Sequence, residues 1–139
     1  MIRTAIFWPM IAHVVLVYLV LWLLMQRRGG AVRAGEAKWP QFREREAEPS
    51  ASITAYNNLV NQFEFPVLFY AACLALFVTN GANIVVVALA WLFVVLRYLH
   101  AAIHLGGNQL RPRGLVFAFG AAVLGAIWMF FALHLLGLT

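Results

Sequence analysis

Four apolar stretches separated by polar segments dominate the chain, over residues 5–25, 59–79, 84–103 and 115–136. A helix of about 20 residues spans roughly 30 Å, the thickness of the hydrocarbon core of a bilayer. The pattern therefore predicts an all-α integral membrane protein, a four-transmembrane-helix bundle in a single domain over residues 1–139. With their flanking residues, we place the helices at about 5–25, 52–79, 83–104 and 114–137, and a long loop at 26–51.

Five polar side chains interrupt two of these stretches: Asn61, Glu64, Arg97, His100 and His104. An ionisable group in hydrocarbon costs about 2.5–3.5 kcal/mol, so such groups persist where they face one another, a cavity or a ligand. The three on the third helix follow i, i+3, i+7 spacing and share one face within about 60° of arc. Since the second and third helices are antiparallel neighbours, we expect all five to form one cluster.

A proline lies beside this cluster. Pro66 falls within the predicted second helix, where it has no N–H to donate and displaces the carbonyl four residues back, that of Gln62. We therefore expect a free backbone acceptor next to the cluster.

Two interpretations of the cluster remain open. In the first, Glu64 and Arg97 form a buried ion pair that holds two helices together. However, Arg111 and Arg113 follow just beyond the third helix, and a structural pair does not require so many donors. For the whole set we favour a ligand site.

Charge indicates the topology. The chain carries a net charge of +5, with 64% hydrophobic and 11% charged residues and a mean hydropathy of +0.84. The basic residues concentrate between the first and second stretches and between the third and fourth. By the positive-inside rule these two loops are cytoplasmic and both termini lie outside. The surplus of cations thus needs no nucleic-acid partner, although the first loop also suits contact with anionic lipids.

Cysteine and histidine usage narrows the chemistry. A lone Cys73 excludes the small four-helix oxidoreductases that use paired cysteines. His13 and His134 are each isolated in their helices, so interhelical hydrogen bonding is favoured over a bis-histidine haem. The sequence predicts no metal site.

The spacing of the polar residues resembles a known family. Asn61-Gln-Phe-Glu64-Phe-Pro66, then Arg97-Tyr-Leu-His100-Ala-Ala-Ile-His104, then Arg111-Pro-Arg113 is similar to the MAPEG family, the membrane-associated proteins in eicosanoid and glutathione metabolism. The similarity also covers the four spans and the long first loop, and it suggests a bacterial-type member in the inner membrane.

The resemblance implies a homotrimer that binds glutathione between subunits, near the cytoplasmic side. Its other partners would be membrane lipids and a lipophilic small-molecule substrate. Asn61 and Glu64 would contact the polar ends of glutathione, and Arg97 and His100 would order it. His104 would stand where the family usually has tyrosine. Arg111 or Arg113 would hold the thiol as a thiolate, because a guanidinium lowers the thiol pKa.

Two positions depart from the family pattern. Members that bind glutathione well usually carry arginine where this chain has Asn57, and some also where it has Val60. The departures leave open weak glutathione binding, another thiol or a loss of catalysis.

Three functions follow from these observations. The first is a glutathione-dependent transferase or peroxidase for lipophilic electrophiles. The second is a non-catalytic lipid-binding protein of the same fold. The third is a small proton-coupled multidrug transporter, against which Arg97 argues, since it would keep Glu64 charged when proton coupling needs it to titrate.

Overall fold

The computed structural model describes residues 3–43 and 48–138. In those ranges the chain forms five α-helices and two short 3₁₀ helices, at Arg3–Ile6 and Trp39–Arg43. The α-helices are α1 Phe7–Arg33, α2 Ser50–Asn61, α3 Phe65–Val78, α4 Ile84–Gly106 and α5 Leu110–Leu135. Four segments are long and apolar enough to cross a membrane, because α2 and α3 together make one of them, Ser50–Val78. The all-α, four-span prediction is confirmed.

The first helix is longer than the sequence pattern predicted. It passes through Gly29 and Gly30 and ends at Arg33 rather than at residue 25. Gly35 follows two residues after this end, and its φ of +75° is the left-handed conformation that commonly terminates a helix. The amide of Glu36 then donates to the Ala31 carbonyl at 2.9 Å, which closes the last turn.

The second predicted helix is interrupted. Gln62, Phe63 and Glu64 lie outside both α2 and α3. Pro66 therefore does not sit in a helix interior, but in the first turn of α3. A proline fits there, because the first amides of a helix have no intrahelical acceptor. The fourth predicted helix also begins earlier than expected, at Leu110 rather than at residue 114.

The core lies where α4 meets its neighbours. Helix α4 contacts α1, α2 and α5, and α3 packs on α1 and α5. The largest fully buried side chains include Phe69 of α3, Phe93 of α4 and Ile127 of α5. The rings of Phe69 and Phe93 stack at 4.6 Å between centroids. Many large apolar side chains on the outer faces remain exposed, as expected for helices that contact lipid.

Candidate functional site

Arg97 is the centre of the polar cluster. Its side chain is 3% exposed although it lies in the middle of an apolar helix bundle. Its Nη2 donates to the backbone oxygen of Asn61 at 2.9 Å and to Oε1 of Gln62 at 3.1 Å. The break between α2 and α3 makes this contact possible, because it leaves the Asn61 carbonyl without a partner in its own helix.

The backbone carbonyl that is free to accept a hydrogen bond is that of Asn61, one residue before the Gln62 carbonyl predicted from the sequence. The sequence indicated the carbonyl of Gln62, but the structure pairs the carbonyl of Asn61 with Arg97, and Gln62 contributes its side-chain oxygen. The displacement follows from the break, since the helix ends at Asn61 instead of continuing to Pro66.

Two buried amides that the sequence analysis missed extend this network. The Gln62 side chain donates to Oδ1 of Asn58 at 2.9 Å, and the Asn58 amide donates to the Ala101 carbonyl at 3.4 Å. Both side chains are almost fully buried. Their four-residue spacing within an apolar segment was an available signal, because such a pair shares one helix face. The network links the end of α2 to α4.

Glu64 and Arg97 do not form a buried ion pair. Within the described residues, the salt bridge is between Arg28 and Glu48, and Arg97 bonds to neutral groups instead. Glu64 is exposed on the surface of the chain. Its carboxylate is therefore available to a ligand.

Glu64 faces a cavity of about 270 Å³ that lies near the connection between α4 and α5. The side chains of Asn61, His100 and Arg113 line the same cavity, with Gly114 and Phe117 completing it. Four of the seven predicted site residues thus surround one space. The helix break positions Asn61 and Glu64, α4 positions His100, and the first turn of α5 positions Arg113.

The other three predicted residues lie outside this lining. Arg97 is almost fully buried and does not line the cavity. His104 is buried one turn further along α4, with its ring centroid 5.8 Å from that of His100. Arg111 is exposed at the start of α5. Arg113 differs from Arg111, since it lines the cavity and donates through Nη1 to Oδ1 of Asn108 at 2.5 Å.

The cavity has chemical properties suited to a polar ligand. Arg113 supplies a cation, Glu64 an anion, and His100 and Asn61 further hydrogen-bonding groups. In the described part of the chain, the Nδ1 atoms of His100 and His104 and the Nε atom of Arg97 are buried without a hydrogen-bond partner. Of these three residues only His100 lines the cavity, and a ligand group that paired with its Nδ1 would remove the free-energy cost of leaving that atom unpaired.

The two isolated histidines make contacts between elements. His13 Nδ1 lies 2.7 Å from the Tyr70 hydroxyl, and His134 Nε2 lies 3.0 Å from the Thr79 carbonyl oxygen. These are the interhelical contacts favoured from the sequence. Among the described residues, no group of three or more metal-ligating side chains is found.

Comparison with known proteins identifies the family of the chain. The family model described as "MAPEG family" matches residues 5–133, almost the whole chain. No curated protein and no solved structure matches the chain significantly.

Proposed function

Because the chain belongs to the MAPEG family, we propose that it is a membrane-bound, glutathione-dependent transferase or peroxidase that acts on lipophilic electrophiles. Family membership and the four membrane-spanning segments support the general class, a multi-pass membrane protein with a glutathione-related or lipid-metabolic function.

The observation that carries this proposal is the position of Arg113. It lines the same cavity as Asn61, Glu64 and His100, whereas Arg111 is exposed away from it. A guanidinium beside a thiol stabilises the thiolate and lowers the thiol pKa from about 8.5 toward neutrality. The thiolate is the nucleophile, so Arg113 would raise its concentration at neutral pH.

Each of the two reactions balances with these components. In conjugation, the thiolate sulfur forms a bond to an electrophilic carbon and a leaving group departs with its electron pair. In peroxide reduction, two thiols supply two electrons and two protons. The hydroperoxide becomes an alcohol and water, and the thiols become a disulfide.

The surroundings of the cavity suit a lipophilic second substrate. Phe117 lines the cavity and is 36% exposed on the outer face of α5. In a bilayer that face contacts lipid, so an apolar electrophile can approach from the membrane while the thiol enters from the aqueous side. We place that aqueous side in the cytoplasm, by the positive-inside rule, and we expect the functional unit to be a homotrimer.

A non-catalytic lipid-binding protein of the same fold is the second candidate. It is favoured by an open groove of about 470 Å³ between α1 and α3, lined mainly by apolar side chains that include Val14, Leu21 and Val67. A protein with this function would bind lipid without consuming any thiol.

Paired alanine variants test the catalytic proposal. Purified parent, Arg113→Ala and Arg111→Ala are assayed for conjugation of a chromogenic electrophile across a range of pH. We expect Arg113→Ala to lose activity by about 10²-fold, the size typical of one lost charge-stabilising donor. Its pH profile should shift to higher pH, because the thiol pKa is no longer lowered. Arg111→Ala should match the parent.

If Arg113→Ala kept the rate and the pH profile of the parent, Arg113 would not be the residue that stabilises the thiolate. A parent protein inactive with every thiol tested would instead give precedence to the lipid-binding function.

A further inference from the structure

The break between α2 and α3 is anchored inside the subunit. Gln62 is the first of the three residues of the break and is 1% exposed, whereas the next two, Phe63 and Glu64, lie on the surface. Oε1 of Gln62 accepts from Arg97, which also donates to the carbonyl of Asn61, the last residue of α2. One buried guanidinium therefore holds the end of α2 and the start of the break together.

The side chain of Asn58 fixes the orientation of the Gln62 amide. Oδ1 of Asn58 accepts from the Gln62 NH2 group at 2.9 Å, and the Asn58 amide donates to the Ala101 carbonyl of α4 at 3.4 Å. A Gln62 amide turned by half a rotation would oppose its NH2 donors to the donors of Arg97. Because Asn58 binds the NH2 group, the oxygen of Gln62 stays directed at Arg97.

These contacts belong to one subunit, whatever covers the cavity in an assembly. Arg97 is 3% exposed, and the void beside it has a volume of about 10 Å³, roughly the space of one water molecule. A neighbouring subunit can add groups to the open side of the cavity. It cannot touch Gln62 or Arg97 without displacing the chain that covers them.

We propose that three buried residues are positioning residues for the thiol site: Asn58, Gln62 and Arg97. None of them lines the cavity, but they fix Asn61 and Glu64, which do. The inference rests on the proposed function, in which Asn61 and Glu64 contact the thiol compound. A displacement of about 1 Å is enough to impair a binding geometry, so the buried network sets the affinity for a ligand that it never contacts.

The kinetics of Gln62→Met test this role, because methionine has a similar length but no oxygen for Arg97. We expect its KM for glutathione to rise about fivefold to tenfold at a nearly unchanged kcat, as when binding common to the ground and transition states is lost. The pH profile should remain that of the parent, because Arg113 on α5 still lowers the thiol pKa. Gln62→Glu, which keeps an oxygen for Arg97, should restore a KM close to that of the parent.

Two further variants separate positioning from general destabilisation. Asn58→Leu removes the partner of the Gln62 amide and should raise KM in the same way. Leu76→Ala is the control, because it removes a fully buried side chain of α3 that lies three turns beyond the break. It should lower the Tm and leave KM unchanged. An unchanged KM in Gln62→Met, or an equal rise in Leu76→Ala, would overturn the inference.

Two measurements without turnover distinguish this inference from the proposed function. Calorimetric titration with glutathione should give a Kd that rises in Gln62→Met by the same factor as KM. Hydrogen exchange at residues 60–65 should become faster in Gln62→Met and stay at the parent rate in Leu76→Ala. A parent protein that binds glutathione without turnover would overturn the proposed reaction alone. Parent values of Kd and exchange in Gln62→Met would overturn this inference alone, and a parent that does not bind glutathione would overturn both.

Discussion

The guanidinium of Arg97 donates to the backbone oxygen of Asn61 at 2.9 Å, across 36 positions of sequence. The contact ties the interrupted second span to α4. It also explains how a charged residue is accommodated between apolar helices, because its charge is stabilised by the carbonyl oxygen of Asn61 and the amide oxygen of Gln62. The same break that exposes the carbonyl brings Asn61 and Glu64 to the cavity.

Removal of this guanidinium should destabilise the fold. In Arg97→Leu, the half-buried Asn61 carbonyl and the buried Gln62 amide oxygen lose their donor. Each buried polar group left without a partner costs about 1–3 kcal/mol. Thermal unfolding in detergent should show a markedly lower Tm for Arg97→Leu, whereas Arg111→Leu, at an exposed position, should match the parent. Equal Tm values for the two variants would show that the network is not stabilising.

The contact between Arg28 and Glu48 should make stability depend on pH. Burial raises the pKa of the Glu48 carboxyl, but hydrogen bonds from Arg28 and Ser52 outweigh burial and hold that pKa below its usual value. The folded state therefore binds this proton less tightly than the unfolded state does, and the contact stabilises the fold above the ordinary glutamate pKa. That stabilisation is lost as the pH falls through the lowered pKa.

Glu48→Gln tests this dependence. A hydrogen bond to a charged group contributes about 1.5–3 kcal/mol, so the variant should be less stable than the parent at pH 7. The difference in Tm should shrink as the pH is lowered from 6 to 3. Glu36→Gln, at an exposed position outside the spans, serves as the control. A difference in Tm that stays constant over this range would mean that the carboxylate charge does not contribute.

Sequence patterns captured the large elements because they depend on composition. The four apolar stretches correspond to four spans, since a bilayer demands about 20 apolar residues from each crossing helix. Element ends were less predictable. Gly29 and Gly30 are tolerated within α1, and Gly35 ends it, because only Gly35 adopts the left-handed conformation that closes the helix.

The sequence identified residues of the site but not the hydrogen-bond partners of Arg97. Helical spacing brings His100 to the same side as Arg97, and the short α3–α4 connection brings Asn61 and Glu64 near them. A buried Glu64–Arg97 ion pair, the alternative to a ligand site, is not formed, because the chain breaks before Glu64 and presents a backbone carbonyl to Arg97 instead. A pattern of side chains carries no information on which main-chain oxygen becomes free.

Cysteine labelling tests the orientation in the membrane. In a Cys73→Ala background, single cysteines replace Lys38 in the first loop, Gln109 before α5 and Ile84 at the start of α4, all exposed positions. We expect a membrane-impermeant maleimide to label positions 38 and 109 from the same side and position 84 from the opposite side. By the positive-inside rule, the first two should be labelled only in inverted vesicles. Labelling of all three from one side would contradict the four-span topology.

The His134 ring of α5 lies close to Gly81, in the connection between α3 and α4. A Cβ atom added at Gly81 would lie 2.6 Å from Cδ2 of the His134 ring and 2.9 Å from its Cγ and Nε2. Real Cβ atoms do not approach other atoms that closely, so in Gly81→Ala the ring must move. Movement weakens its contact with the Thr79 carbonyl, now 3.0 Å away. Overpacking of this kind typically costs about 1–3 kcal/mol.

A double-mutant cycle isolates the effect. Gly81→Ala should lower the Tm in the parent background but have much less effect in a His134→Ala background, where the obstructing ring is absent. The coupling free energy between the two sites should reach about 0.5–3 kcal/mol, as for residues in direct contact. Gly107→Ala is the control, because Gly107 also lies in a connection between helices and an added Cβ there meets only the Gln109 side chain, at an ordinary 3.7 Å. Additive effects of Gly81→Ala and His134→Ala would show that the two residues do not pack together, and the connection between α3 and α4 would then not be held against α5 through His134.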